Sequence, residues 1–356
     1  MKNSNYHEEE NQKNTLKLRE LLTTLPPFAY EFFRGIEPTT SAKTRIAYAY
    51  DLNTFFYYLL SVHPDFKKIK MCDFEIKYLD TILPDHIEMY LEYLTYYKKK
   101  SFKDNSKYTN HQNGEKGKAR KLATIRTLYL YFYKKQKIST NPASLIDLPK
   151  IHDKSIVRLE VDEVARLLDE IESGNKLTDT QKKYHTSTKV RDLALVTLLL
   201  GTGMRVSECV GLNVTDIDFM VNGIKITRKG GNEVVLYFGD EVEHSLLNYL
   251  EIRNKIIPLN DHKDALFLSL QKKRLSVRSI QNIVKKYSGL VTSLKNISPH
   301  KLRSTYGTTL YRETGDIYLV ADVLGHKDVN TTKKHYAQIE DERRRKAARI
   351  IKLRET

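Results

Sequence analysis

The chain has 356 residues, 40% of them hydrophobic, with 60 Lys and Arg against 44 Asp and Glu, a formal net charge of +16 and a pI near 9.4. That length accommodates two ordinary domains with sizeable cores, no run approaches the roughly 18 apolar residues of a membrane span, and the polar, mixed-charge residues Met1–Asn14 carry no secretory signal. The basic surplus points to a polyanionic partner, most simply nucleic acid; no lipidation signal beside a basic amphipathic terminus supports a membrane instead.

In chain order, residues 1–24 read as a mobile polar leader with a helix near Leu16 to Leu22, closed by Pro26-Pro27. Thr39-Thr40-Ser41 supplies an N-cap for a helix from Ala42 to Leu60. Its bulky apolar face is Leu52, Phe55, Phe56 and Leu59. Pro84-Asp85 opens another helix through Ile87, Tyr90, Leu91 and Leu94. Residues 98–137 are the basic centre of the first half, with 13 Lys/Arg against 2 Asp/Glu. Lys98 to Gly117 reads as a polar loop. Lys118 to Lys137 reads as a helix with Leu122, Ile125, Leu128 and Phe132 at core spacing. Its cations Lys118, Arg120, Lys121 and Arg126 are the candidate DNA contacts. Asn141-Pro142 ends this region, and Leu148-Pro149-Lys150 begins a linker that ends near Val157.

The second half opens on a helix at Leu159–Val164. Ser173 to Thr188 is read as a polar excursion, a loop with a short helix, before a buried apolar helix from Arg191 to Leu200. Three strands are expected at Val214–Phe219, Ile224–Thr227 and Val234–Phe238, with Asn222-Gly223 as a hairpin turn. Arg228-Lys229-Gly230-Gly231-Asn232 joins the last two strands. Helices follow at about 241–256, 276–287, 300–313, 316–324 and 340–354. Cys72 and Cys209 lie far apart, as expected of reduced thiols in a cytoplasmic protein. No Cys/His cluster has zinc-ligand spacing, so no metal is expected.

Several spaced motifs carry the chemistry. Gly201-Thr202-Gly203-Met204-Arg205 places an arginine after an apolar helix, and Glu208 lies one turn further on. Pro299-His300-Lys301-Leu302-Arg303 sets a histidine and an arginine one turn apart at a helix start. Leu324-Gly325-His326, Thr331-Thr332 and Tyr336 follow. Arginine forks grip non-bridging phosphate oxygens in pairs. Histidine near neutral pH donates a hydrogen bond or moves a proton. A tyrosine hydroxyl, with a free pKa near 10, needs such neighbours before it can attack.

In this order the motifs resemble the tyrosine recombinase (phage integrase) family, over about half the chain. The helical first half and its linker resemble that family's core-binding domain, so the likeness covers nearly all the chain after residue 25. Within the family the chain looks most like the Xer group, of the single-recombinase, XerS-like type. The implied fold is mainly α. A helical, SAM-like core-binding domain spans 25–150, and a catalytic domain with a small antiparallel sheet and a tail helix spans 157–356.

The resemblance also implies roles. Arg205 and Arg303 clamp the scissile phosphate, His326 hydrogen-bonds it, and His300 moves a proton. Glu208 orients catalytic side chains. Lys229 protonates the leaving 5′ oxygen, with Arg228 as the competing candidate and a further DNA contact. Tyr336 is the nucleophile. It lies ten residues after His326, where most relatives have nine, and His335 holds the usual place. The implied activity is site-specific DNA recombination through a 3′-phosphotyrosine, for chromosome dimer resolution, with no cofactor. The implied partners are duplex DNA, three further copies in a homotetramer on paired sites, and an accessory or translocase protein. A mobile-element integrase, and a DNA-binding regulator with a dead site, remain open as alternatives.

Overall fold

The computed structural model describes residues 6–100, 108–148, 150, 157–228, 231–326 and 329. The chain divides into two compact units, Met1–Asp153 and Lys154–Thr356. Among the described residues no helix is long and apolar enough to cross a membrane.

The first unit is helical. It contains α1 (Tyr6–Leu22), α2 (Ala29–Gly35), α3 (Ala42–Ser61), α4 (Pro84–Tyr93) and, after a short hairpin, α5 (Glu115–Lys134). The expected polar leader is in fact mostly α1. Leu18, Leu21 and Leu22 recur at helical spacing and are buried in the core with Leu25. The Asn53 amide fixes the helix exit by donating to the backbone and hydroxyl oxygens of Thr24, at 3.1 and 3.0 Å. Ser41 caps α3, its hydroxyl accepting from the Thr44 N–H at 3.2 Å. Pro84 opens α4 at a position where no intrahelical N–H is needed. The core is aromatic: Phe32, Phe55, Phe56, Phe132 and Tyr90 are fully buried.

The stretch expected as a loop forms an antiparallel pair instead, β1 (Tyr97–Lys100) with β2 (Tyr108–His111). Its inward positions explain why the pattern was hidden. Tyr97 and Lys99 are both buried, so a lysine stands where alternation would show an apolar residue. The Lys99 amino group donates to the Thr54 hydroxyl at 3.1 Å, and Tyr97 stacks on His111 at 5.2 Å.

The second unit begins with α6 (Val161–Ser173), α7 (Asp179–Thr202) and α8 (Val206–Gly211). The polar excursion is largely the first half of α7. A capping box starts that helix: Thr178 accepts from the Gln181 N–H, and Gln181 returns to the Thr178 N–H at 3.1 Å. The solvated first turns obscured its continuity with the buried run Ala194–Leu199. A three-stranded antiparallel sheet follows, in the order β3 (Ile217–Asp218), β4 (Gly223–Thr227), β5 (Glu233–Tyr237). The first strand is shorter than expected because Val214–Asp216 forms a 3-10 turn. The Asp216 carboxylate caps that turn by accepting from the Asn213 N–H at 2.7 Å. Helices α9 (Asp240–Arg253), α10 (Val277–Val291), α11 (Pro299–Thr314) and α12 (Ile317–Leu324) complete the described part. The helix expected at 340–354 lies outside the described residues.

Candidate active site: arginines gathered at a helix end

Three helix ends in the second unit converge. Helix α7 ends at Gly203, whose φ of +61° is the left-handed conformation that glycine enters without penalty. Its carbonyl accepts from Arg303 Nη1 at 2.6 Å. A Cβ on Gly203 would lie 2.3 Å from the Tyr306 ring, so the position has no room for a larger residue. Arg205 then begins α8. Glu208, buried three residues on, accepts the Arg205 backbone N–H at 2.7 Å with one carboxylate oxygen. Its other oxygen accepts Arg205 Nη1 at 2.8 Å. Glu208 therefore caps the helix and sets the guanidinium's direction together.

Helix α12 also ends at a left-handed glycine, Gly325, with φ of +61°. A helix C-terminus carries carbonyls without intrahelical donors and a partial negative charge. Here arginines satisfy them in turn. Arg228 donates to the Asp322 and Val323 carbonyls at 3.2 and 2.7 Å. Arg303 Nη2 donates to the Leu324 carbonyl. Arg205 Nη2 donates to the Gly325 carbonyl at 3.0 Å. The N–H of His326 closes back on the Ala321 carbonyl at 2.9 Å. The two motif arginines thus each engage the residue at, or next to, the α12 cap that presents His326.

Arg303 is 5% exposed, whereas the Arg205 side chain keeps 35% of its surface. His300 is exposed at the first turn of α11, where Pro299 occupies the N-terminal position. Three guanidiniums against the one buried Glu208 carboxylate leave a positive surplus suited to an anion.

The sequence reading places Arg205, Glu208, His300, Arg303 and His326 in this unit, and the fold brings Arg205, Glu208, Arg303 and the His326 segment together. Arg228 joins them through the backbone of α12. Nothing in the sequence signalled that engagement, because carbonyl acceptors leave no mark on residue identity. Lys229, His335 and Tyr336 lie outside the described residues.

In the first unit, the candidate DNA contacts separate. Lys121 is 6% exposed and its amino group lies 3.0 Å from the fully buried Asp51 carboxylate, so it faces the interior rather than a phosphate. Arg126 is likewise engaged inward, with the Ala143 carbonyl at 3.0 Å and with the Ile146 carbonyl. Helical periodicity alone did not reveal Asp51 as the internal acceptor. Arg120 reaches Asp51 at 2.5 Å yet keeps half its side chain exposed. Lys118, also at the surface, donates to Thr95 at 2.7 Å.

Among the described residues, His63, Asp65 and His86 are the one trio whose possible ligand atoms lie within 4.8 Å of one another. The sequence spacing did not suggest it. Each imidazole Nδ1 already faces a backbone donor, Asp65 N–H at 3.3 Å and Leu83 N–H at 3.2 Å. An Nδ1 that accepts in this way leaves the ring hydrogen on Nε2, the atom a cation would need bare. The trio reads as two buried, hydrogen-bonded histidines beside an exposed aspartate.

Helix-end arginines beside the His326 segment make a site suited to an anionic group. The profile described as Phage integrase family matches residues 157–343. The chain belongs to that family. Its similar relatives include Tyrosine recombinase XerC of Caldanaerobacter subterraneus subsp. tengcongensis, 31% identical over 94% of this chain and 90% of that protein. Tyrosine recombinase XerD of Oceanobacillus iheyensis is 34% identical over 60% of this chain and 69% of its own. The fold is that of solved recombinases. A XerH site-specific recombinase bound to its difH substrate, in a pre-cleavage complex, has a TM-score of 0.61 at 20% identity. That match covers 85% of this chain and 79% of the other. A lambda integrase tetramer on a Holliday junction has a TM-score of 0.58 at 14% identity, over 86% and 76%.

Proposed function

We propose that the protein is a site-specific tyrosine recombinase of the Xer group, acting on duplex DNA. The observation that carries this reading is the placement of Arg205 and Arg303 on the carbonyls of the α12 cap, beside His326. Family membership and full-length similarity to an Xer recombinase support it.

In this reading the Tyr336 phenol oxygen attacks the scissile phosphorus. An O–P bond forms to the tyrosine, the bond to the 5′ oxygen breaks, and Lys229 gives that oxygen a proton. His300 takes the phenolic proton. Arg205, Arg303 and His326 balance charge on the five-coordinate phosphorus, which is oxyanion stabilisation applied to a phosphorane. Backbone carbonyls and Glu208 hold the guanidiniums before substrate arrives, so little reorganisation is required at the moment of reaction. The 5′ hydroxyl of the partner strand reverses the step. The phosphodiester energy is kept in the tyrosyl ester, so no nucleotide cofactor is consumed.

The cellular role that fits the Xer relatives is resolution of chromosome dimers in the cytoplasm, by a homotetramer on two paired sites, with an accessory or translocase protein as a further partner. Footprinting on the host chromosome, followed by covalent capture on a nicked copy of the bound site, tests the reading. A single chromosomal site and a denaturation-resistant protein–DNA adduct are expected. Binding without any adduct would leave a DNA-binding regulator, and protected sites at mobile-element ends would make the protein an integrase.

A further inference from the structure

Arg228 is the last residue before Lys229 on the hairpin, and its side chain leaves the sheet. The hairpin closes around it through Arg228 N–H to the Asn232 carbonyl, 2.8 Å, and Gly231 N–H to the Arg228 carbonyl, 3.0 Å. Its guanidinium ends on α12, with both terminal nitrogens on the Asp322 and Val323 carbonyls. Its Nε is buried and has no partner among the described residues. It lies flat against the cap, so that a Cβ on Gly325 would fall 2.5 Å from the guanidinium carbon. Gly325 immediately precedes His326.

A solvated DNA contact keeps its guanidinium facing outward, and a proton donor keeps an N–H aimed at the leaving group. Arg228 instead spends one N–H of each terminal nitrogen on the α12 backbone and keeps its Nε buried. What it does is join two segments that are 94 and 95 residues apart in sequence through two charge-assisted hydrogen bonds.

We propose that Arg228 is a positioning residue, which ties the end of β4, the strand that leads in sequence to Lys229, to the α12 cap that presents His326. The proton donor for the 5′ oxygen and the histidine that holds the phosphate are then kept in one register. The proposal rests on the reading of Lys229 as that donor.

The test uses the full-length protein and two nicked suicide duplexes of its site, one with the ordinary scissile phosphate and one with sulfur at the 5′ bridging position. Sulfur leaves without a proton, so a lost or misplaced donor matters less. Lys229→Ala should cleave slowly with oxygen and be largely restored with sulfur. Arg228→Met should lose on the order of tenfold to a hundredfold in cleavage rate with oxygen, as displacements near an ångström do. Sulfur should restore most of that loss, Arg228→Lys should retain part of the rate, and adding Lys229→Ala to Arg228→Met should cost nothing more on sulfur. Affinity for uncleaved DNA and its salt slope should match the parent protein, and a thermal melt checks that each variant folds.

Four results overturn the proposal. One is an Arg228→Met variant no slower than the parent on oxygen. Another is equal impairment of that variant on both substrates while Lys229→Ala is rescued. A third is weaker DNA binding with a salt slope reduced by about one, which marks a phosphate contact. A Lys229→Ala variant that sulfur fails to rescue removes the donor assignment first, and the proposal with it.

Discussion

At the residue scale, motif order and residue type singled out Arg205 and Arg303 as candidates, but not how their side chains are held. Arg205 and Arg303 stood out because the motifs that carry them resemble those of the tyrosine recombinase family. Their carbonyl partners did not, because any residue supplies a carbonyl. Replacing Arg205 or Arg303 by Ala should each slow covalent cleavage by about a hundredfold or more, roughly 3 kcal/mol of lost stabilisation. Single-turnover cleavage on nicked DNA reads this directly, and near-normal rates would remove that residue from the site.

Lys99 makes a separate point in the first unit. Burial, the largest cause, and the nearby Lys121 charge lower its pKa from the usual lysine value to about 7, against the opposing pull of Asp51. Because the folded value is depressed, the unfolded chain binds the extra proton between that pH and the ordinary lysine range. Stability on this account is fully present above the ordinary lysine pKa and is lost as pH falls toward about 7. Lys99→Met should therefore melt above the parent protein at about pH 7, with the gap closing by about pH 10. A melting difference that does not change with pH would contradict the assignment.

At the element scale, helices with periodic leucines and aromatics were read within a few residues, as α3, α4 and α5 show. Failures arose where polar side chains do apolar work or where capping hides in polar sequence. The strand β1 buries Lys99, the leader conceals α1, and α7 begins in residues whose composition suggests a loop. The left-handed glycines are the elements' weak points. Gly203→Ala must adopt a conformation costing about 1–2 kcal/mol and also meet the Tyr306 ring. Urea unfolding should show the second unit less stable by roughly 1–3 kcal/mol. An unchanged midpoint would mean that the α7 cap relaxes freely.

Along α5 the cations should separate by face. Removing Lys118 and Arg120 together should weaken DNA binding and lower the slope of log affinity against log salt by about 0.9 per lost phosphate contact. Lys121→Ala should leave that slope unchanged and lower stability, since the buried Asp51 carboxylate loses a partner. A reduced slope for Lys121→Ala would mean that this side chain turns outward on DNA.

At the scale of the whole molecule, the basic balance, the helical first unit and the sheet-bearing second unit were all visible in the sequence, because charge and periodicity are distributed properties. The DNA target was not, since base readout depends on a few side chains while the surplus charge mainly serves phosphates. The central claim is that this family member cuts DNA through a tyrosine, ten residues beyond the His326 that the α12 cap presents. The most direct measurement is covalent capture on a nicked suicide site, followed by proteolysis and mass spectrometry of the nucleotide-bearing peptide. The expected result is a single adduct at Tyr336, absent in Tyr336→Phe although that variant binds DNA nearly as well as the parent. An adduct that persists in Tyr336→Phe and disappears in His335→Ala would contradict the account.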